Sequence, residues 1–404
     1  MFLSRHHISF EGNINAMEKS NLMNVGLLTS HSSMNYGGLL QAYALREKIR
    51  ECGYNCNIIN YKPKVHDINK HPIKFVIQRK NFIKKGLFGI VHHDEIRQKM
   101  ELLANFRRIY FDVEDDNVID FKNLGDASKA YDILCVGSDQ LWNLNQKDNE
   151  NKAYMLNFDH SCPSFSYGVS FGDGLQEKKQ DIENALPLIK QFECVSVREK
   201  EGQDFLHKHS VNANLVLDPT LLVEASFWKQ FRGKKRIVND SYVLIYGYEN
   251  AYQKYGDLIH AAEKAQSLLR LKVVNPILTP DLCNAGFTNI SKCGPIEFIN
   301  LVENAELVVT NSFHGSIFSS ICGVPFISIK TRGVGDESRK KNLLKMLDME
   351  HRSVFWDEKW NLEDIISDYT IENNIQLRNM REASERYIKK SLQECTQHAK
   401  QWKY

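Results

Sequence analysis

At 404 residues the chain is too long for one hydrophobic core, and two domains of about 150–200 residues each are expected. Hydrophobic residues make up 42% and charged ones 25%, and a formal charge of +2 gives no field strong enough to imply nucleic acid as a partner. No apolar run reaches the roughly 18 residues of a membrane span. The nine cysteines form no CxxC pair and no zinc-like Cys/His spacing, so they read as reduced thiols and no metal is expected.

Residues 1–22 lack the continuous apolar segment of a signal peptide and read as a disordered leader, or as an upstream start ahead of Met23. Residues 25–29 form a short apolar strand. A polar loop, HSSMNYGG (31–38), is followed by helical spacing through Leu40, Tyr43, Ala44 and Ile49, a capping Gly53, and a strand over 56–60. This is a βαβ unit whose first loop stands where open α/β sheets bind ligands, and it lacks the GxGxxG dinucleotide fingerprint. Asn35, Tyr36 and Gly37 are candidates to line a site, unless the two glycines only let the helix start close to the strand. Residues 62–110 are rich in Lys and Arg with Phe75, Phe82 and Phe88 interspersed. They form a basic helical insertion that either faces a polyanionic or lipid-linked acceptor or is a solvated surface.

Residues 117–124 read as a strand and turn, and 131–137 as a central strand. The loop after it carries Ser138, Asp139, Gln140, Trp142 and Asn143. Asp139 is suited to hold a sugar hydroxyl or orient a base, and Trp142 to stack on a sugar face; the alternative is a capped turn with Trp142 in the core. A strand (164–170), helix (181–191), strand (192–197) and helix (200–207) follow. Arg198 stands where an anion would meet the mouth of a cleft, unless it pairs with Glu199 or Glu201. Asp218-Pro219-Thr220 reads as a hinge, because the proline forces an extended approach.

The strand-then-helix rhythm restarts at 242–248, with a helix over 251–269, a strand over 271–274, and a helix from Gly294-Pro295-Ile296-Glu297 to about 304. The strand 307–310 stops at Asn311-Ser312, and Phe313-His314-Gly315 leads into a short helix over 316–322. Free backbone N–H groups at such a helix start favour an anion. Ser312 offers a hydroxyl there and His314 a proton-transfer group; a helix cap and a structural glycine are the plain alternative. After the strand 326–329, a glycine-bearing loop, expected to be mobile, carries Arg332 and Arg339, which can grip phosphate or carboxylate bidentately. Residues 341–347 form a helix, and charged helices from 362 onward brace the first domain.

Several of these segments, in order, resemble the polysaccharide pyruvyl transferase family: 26–29 (GLLT) with 35–45 (NYGGLLQAYAL), 136–143 (VGSDQLWN), 196–199 (SVRE), 218–220 (DPT), 294–298 (GPIEF) and 310–315 (TNSFHG). The resemblance spans roughly residues 24–350. The family pattern has an acid before Ser-Phe-His-Gly, where this chain has Asn311, which removes a negative charge beside the expected anion site.

The resemblance implies an α/β fold of two Rossmann-like domains facing across a cleft, similar to the glycosyltransferase B (GT-B) fold. On that basis residues 23–220 form the acceptor-side domain with the 62–110 insertion, 221–355 the phosphoenolpyruvate-side domain, and 356–404 helices packing back on the first. It implies transfer of the pyruvyl group of phosphoenolpyruvate to a sugar of a cell-surface polysaccharide or its lipid-linked oligosaccharide precursor. A pyruvate ketal closes and phosphate leaves, with no cofactor beyond the donor. His314 would be the acid, and Asp139 the group that orients or deprotonates the sugar hydroxyl. Arg198, Arg332, Arg339 and Ser312 would hold the donor's anionic groups, and Asn35, Tyr36, Ser138, Trp142 and Asn311 would line the substrate site. The expected location is cytoplasmic, at the inner face of the membrane, where a peripheral contact would meet a lipid-linked acceptor; the oligomeric state stays open. Two other functions fit the same fold. One is a nucleotide-sugar-dependent glycosyltransferase, in which Glu297 either grips a ribose or caps its helix. The other is a non-catalytic glycan-binding relative, which Asn311 favours.

Overall fold

Short runs rich in Val, Ile and Leu, buried on both faces, are the signature of parallel strands covered by helices, and the chain folds into two such sheets. The computed structural model describes residues 22–63, 88–144, 149–172, 175, 178–231, 235–249, 255–330, 338–367 and 371–402. The leader, residues 64–87 of the basic insertion and the loop bearing Arg332 lie outside the described residues.

The first sheet contains β1 (Asn24–Leu28), β2 (Asn55–Ile58), β3 (Ile133–Asp139), β4 (Ser164–Val169), β5 (Val195–Val197) and β6 (Ala213–Leu215), in the order β2-β1-β3-β4-β5-β6. The second contains β7 (Tyr242–Tyr246), β8 (Lys272–Asn275), β9 (Thr288–Asn289), β10 (Leu307–Thr310), β11 (Phe326–Ile329) and β12 (Ser353–Val354), in the order β12-β11-β10-β7-β8-β9. Every pairing is parallel. In the first sheet β2 and β3 lie on opposite sides of β1; in the second, β8 and β10 flank β7. The loops after β1 and β3, and after β7 and β10, therefore diverge at the switch point of each sheet, where open α/β folds form their binding crevice.

The helices that matter to the crevice are α1 (Tyr36–Glu51), α2 (His93–Phe111), α3 (Lys179–Ile189), α4 (Lys200–Lys208), α5 (Pro219–Leu222), α6 (Tyr255–Leu269), α7 (Pro295–Glu303), α8 (Phe313–Cys322), α9 (Ser338–Met346) and α10 (Ile375–Trp402). The C-terminal α10 packs against β3 and β4 of the first sheet. It is held there by Tyr387 Oη donating to the Ser166 carbonyl at 2.8 Å and by Leu217 N donating to Ser384 Oγ at 2.9 Å. No described helix is long and apolar enough to cross a membrane.

Two expected elements differ. The strand expected over 117–124 reduces to a single bridge between Tyr61 and Ile119, because Asp120 accepts a hydrogen bond from Asn123 N and turns the chain into a 3-10 helix over Phe121–Asn123. The helix expected from residue 316 begins at Phe313, because Ser312 Oγ accepts from Gly315 N at 3.2 Å and caps it there. His314 is thus a first-turn helix residue rather than a loop residue.

The two halves share an apolar interface. Tyr36 stacks on Tyr246 with ring centroids 5.9 Å apart and lies 5.4 Å from Phe298. From the basic insertion, α2 sends Lys99 into this interface. Its Nζ lies 5.0 Å from the Tyr36 ring centroid and donates to the Pro276 carbonyl at 3.1 Å, and burial lowers its pKa to about 8. Arg107 and Lys62 both pair with Asp115. These three basic residues are therefore structural rather than part of a free cationic face.

Just after β1, His31 is fully buried, and burial outweighs its hydrogen bonds to Asn60 and Thr29, lowering its pKa to about 4. A histidine depressed this way is neutral in the native state but takes a proton in the unfolded chain below about pH 6.5. Stability is accordingly expected to fall as the pH drops from 6.5 toward 4, by on the order of 3 kcal/mol from this residue. Urea unfolding of wild type and His31→Gln at pH 7 and pH 5 checks this: the difference between the two pH values should shrink in the variant.

Candidate active site

Four strand ends bring the chemistry together. β3 ends in Asp139, whose φ of 86° turns the chain out of the sheet. β5 ends just before Arg198, Asp218 begins α5, and β10 ends just before Asn311 and the His314 helix. Arg198 lies at the centre with only 2% of its side chain exposed. Its Nη2 donates to Asp139 Oδ1 at 3.0 Å, its Nε to Glu199 Oε1 at 3.2 Å and its Nη1 to Asp218 Oδ2 at 2.6 Å. Burial works against the guanidinium charge, and Asp139, Asp218 and Glu199 more than restore it, so its pKa lies above the ordinary value.

The carboxylates respond in kind. Burial pushes Asp139 up, but Arg198 and His314 outweigh it and hold the pKa below the usual range. Asp218 is likewise pushed up by burial and pulled further down by His314, Arg198 and Thr220. For Glu199 burial wins and the pKa is raised. Asp139 is the most exposed of the three acids, at 18% against 8% for Glu199 and 1% for Asp218. The cluster opens through it.

His314 enters from the second sheet. It is 4% exposed, and its Nε2 lies 3.5 Å from Asp218 Oδ2 without forming a hydrogen bond. The ring packs on Gly37 in the first turn of α1, where a methyl group would overlap the imidazole; Gly38 faces Asp139. Gly37→Ala is therefore expected to displace His314 and lower kcat/KM about 100-fold. Gly256→Ala, whose added methyl meets open space, is the control that should leave kcat/KM unchanged. Arg339, on α9, meets the Gln140 side-chain amide, whose oxygen accepts from Nη2 at 2.8 Å, and so stands beside Asp139. The Arg198 guanidinium also lies 4.9 Å from the Phe313 ring centroid, which ties it to the His314 helix.

Several residues expected to touch substrate are occupied elsewhere. Trp142 is wholly buried between Phe171 and Phe192 with its Nε1 donating to the Tyr154 carbonyl at 2.9 Å, so it is core and cannot stack on a sugar. Tyr36 is buried in the interface with its hydroxyl on the Cys293 carbonyl at 2.9 Å. Ser138 Oγ donates to the Gly168 carbonyl, and Ser312 Oγ is spent on its helix cap. Asn35 caps α1, accepting from Gly37 N and Gly38 N.

Asn311 is 3% exposed and clamps Tyr248 from both sides, accepting from its N–H at 3.1 Å and donating to its carbonyl at 3.0 Å. An aspartate could make only the first of these bonds. Glu297 accepts from Gly294 N at 3.0 Å and so caps α7. Arg198, expected to meet an anion, has donors already held by three acids. Arg332 lies outside the described residues.

Sequence reasoning passed over Asp218 and Gln41, and named Glu199 only as a surface partner for Arg198. Asp218-Pro219-Thr220, expected to be a hinge, is instead the capped start of α5; its place in the Asp-Pro-Thr segment was the available signal. Gln41 accepts from Ser138 N at 3.2 Å and holds α1 to the end of β3. Among the described residues no group of His, Cys, Asp and Glu is arranged to hold a metal ion.

Two parallel α/β sheets with their switch points turned to a common crevice define the GT-B class. UDP-N-acetylglucosamine 2-epimerase from Rickettsia bellii aligns over 93% of this chain and 96% of its own, with 10% identity and a TM-score of 0.52. The MnaA–UDP complex of S. aureus aligns over 91% and 90%, with 8% identity and a TM-score of 0.50. At such identities the likeness is one of fold. No match was found among curated protein sequences. The profile of the family described as polysaccharide pyruvyl transferase matches residues 35–332, and the chain belongs to that family.

Proposed function

We propose that the chain transfers the pyruvyl group of phosphoenolpyruvate to a sugar of a cell-surface polysaccharide or its lipid-linked precursor, closing a pyruvate ketal and releasing phosphate. The observation that carries this reading is His314, a buried imidazole delivered from the second sheet onto the Asp139–Arg198–Asp218 cluster of the first. Asp139 accepts the proton of one sugar hydroxyl as that oxygen adds to C2 of the donor, and His314 gives a proton to C3, which becomes the methyl group. The C2–O bond to phosphate then breaks, phosphate departs with the proton held by Asp139, and a second hydroxyl adds to C2 to close the ketal, its proton returning to the neutral His314.

The donor's phosphate and carboxylate are met by Arg339 and by the first turn of α8. Arg198 is shared with the donor when its anionic group displaces Asp139, the acid nearest solvent, which leaves Asp139 free to act as base. The acceptor site is proposed on the β1 and β3 loop side, reached from the inner face of the membrane.

Phosphate release from phosphoenolpyruvate, measured over a panel of cell-surface glycan fragments, tests the proposal, with the product ketal methyl followed by NMR. Release with a matching acceptor and a new methyl singlet is the expected result. Nucleotide release from a UDP- or GDP-sugar with no phosphate from phosphoenolpyruvate would replace it with glycosyl transfer. Glycan binding with neither turnover would leave a binding role.

A further inference from the structure

We infer that Asp218 is a positioning residue for His314, fixing which ring nitrogen carries the proton and stabilising the charged imidazole; the inference rests on the acid role proposed for His314. A helix cap needs one carboxylate oxygen, and Asp218 uses Oδ1 alone for that purpose, accepting from Thr220 N at 3.0 Å and from Thr220 Oγ1 at 2.6 Å. Oδ2 is surplus to the cap. It accepts from Arg198 Nη1 at 2.6 Å and faces His314 Nε2 at 3.5 Å across the boundary between the two halves.

Two bonds to Thr220 and one to Arg198 fix the carboxylate in a site that is 1% exposed, so its charge acts on the imidazole with little solvent screening. With Nε2 3.5 Å from that carboxylate, the proton it attracts sits on Nε2, and Nδ1 is the nitrogen left to exchange a proton with substrate. The other charged groups around the ring are Asp139 at the end of β3 and Arg198 at the end of β5, with Arg339 on α9 beyond Asp139.

The test uses Asp218→Asn, which keeps an oxygen for Thr220 and removes the charge. His314 as an acid works when protonated, so activity falls as pH rises through its titration. Losing a neighbouring carboxylate brings that fall to lower pH. The alkaline limb of the kcat profile is expected to move down by about one pH unit. The His314 ring resonance, assigned by its loss in His314→Gln and titrated without substrate, should move by the same amount. Asp218→Glu should recover part of the displacement. A limb and a titration that stay at their wild-type positions while kcat drops would mean a purely structural role and overturn the inference.

Should Asp218→Asn fail to fold, Thr220→Val, which removes a donor from Oδ1 and leaves more of the carboxylate's charge for the imidazole, is expected to move the titration in the opposite direction by a smaller amount; an unmoved resonance there also overturns it. The substrate-free titration does not depend on the donor. It therefore reports on Asp218 even if phosphoenolpyruvate proves not to be a substrate.

Discussion

Replacing His314 with glutamine is expected to lower kcat for pyruvyl transfer about 1,000-fold while leaving the protein folded, the loss typical of removing a positioned general acid. Glutamine is close in length and polar, so it can occupy the pocket against Gly37 without opening a cavity, but it carries no proton to give at neutral pH. The uncatalysed difficulty of the step lies in protonating C3 of the enol as C2 is attacked. That is the part only a titrating group can relieve. KM for phosphoenolpyruvate should change far less than kcat, because Arg339 and the α8 helix start are untouched. Steady-state phosphate release together with thermal unfolding of the same preparation checks this. A variant that keeps wild-type kcat would remove His314 from the chemistry and, with it, the geometry on which the proposed function rests.

The fold was legible where burial leaves a plain mark. β10 at Leu307–Thr310 and β11 at Phe326–Ile329 are buried along their whole length and read as short, mainly apolar runs. The crevice was legible too, because polar, glycine-bearing loops follow those runs at both switch points. What the sequence could not show is which polar or aromatic side chain faces ligand and which faces protein. Trp142 and Tyr36 sit in the right loops but turn inward, to a carbonyl of residue 154 and one of residue 293. An aromatic ring beside a polar motif looks the same in sequence whether it stacks on a sugar or fills the core. The Arg198 cluster was hidden for a different reason. Its acids come from 59 residues before it and 20 after it, as well as from its neighbour Glu199. Only the parallel order β3-β4-β5-β6 brings them to one edge. Local pairing with Glu199 was foreseeable; the other two partners are a product of topology.

That topology makes Arg198 the residue whose loss should cost most in stability. Arg198→Gln leaves Asp139, Glu199 and Asp218 without their shared counter-ion in a site where they are 18%, 8% and 1% exposed. Removing one partner of a buried pair costs about 3–5 kcal/mol, and here one side chain serves three. A loss of at least about 4 kcal/mol is therefore expected, a large share of a typical domain's stability.

The pH dependence distinguishes this mechanism from simple loss of packing. In the wild type Asp139 and Asp218 have depressed pKa values, so the stability they bring is present above about pH 4 and is lost as pH falls. In the variant the same carboxyls lose the arginine and keep only His314 and Arg339 as neighbouring cations, so burial pushes their titration up. The penalty is then full at neutral pH and is relieved as pH falls and they protonate. Between pH 7 and pH 5 these acids leave wild-type stability unchanged while the His31 loss is common to both proteins, so the gap between wild type and Arg198→Gln should narrow, which urea unfolding at the two values reads directly. Arg198→Lys keeps the charge but cannot span three acids from one ammonium, so it should fall between the two. If Arg198→Gln instead loses stability on acidification in parallel with wild type, the acids are not the source of its defect. The arginine's contribution would then lie in its packing over Phe313 rather than in holding the cluster together.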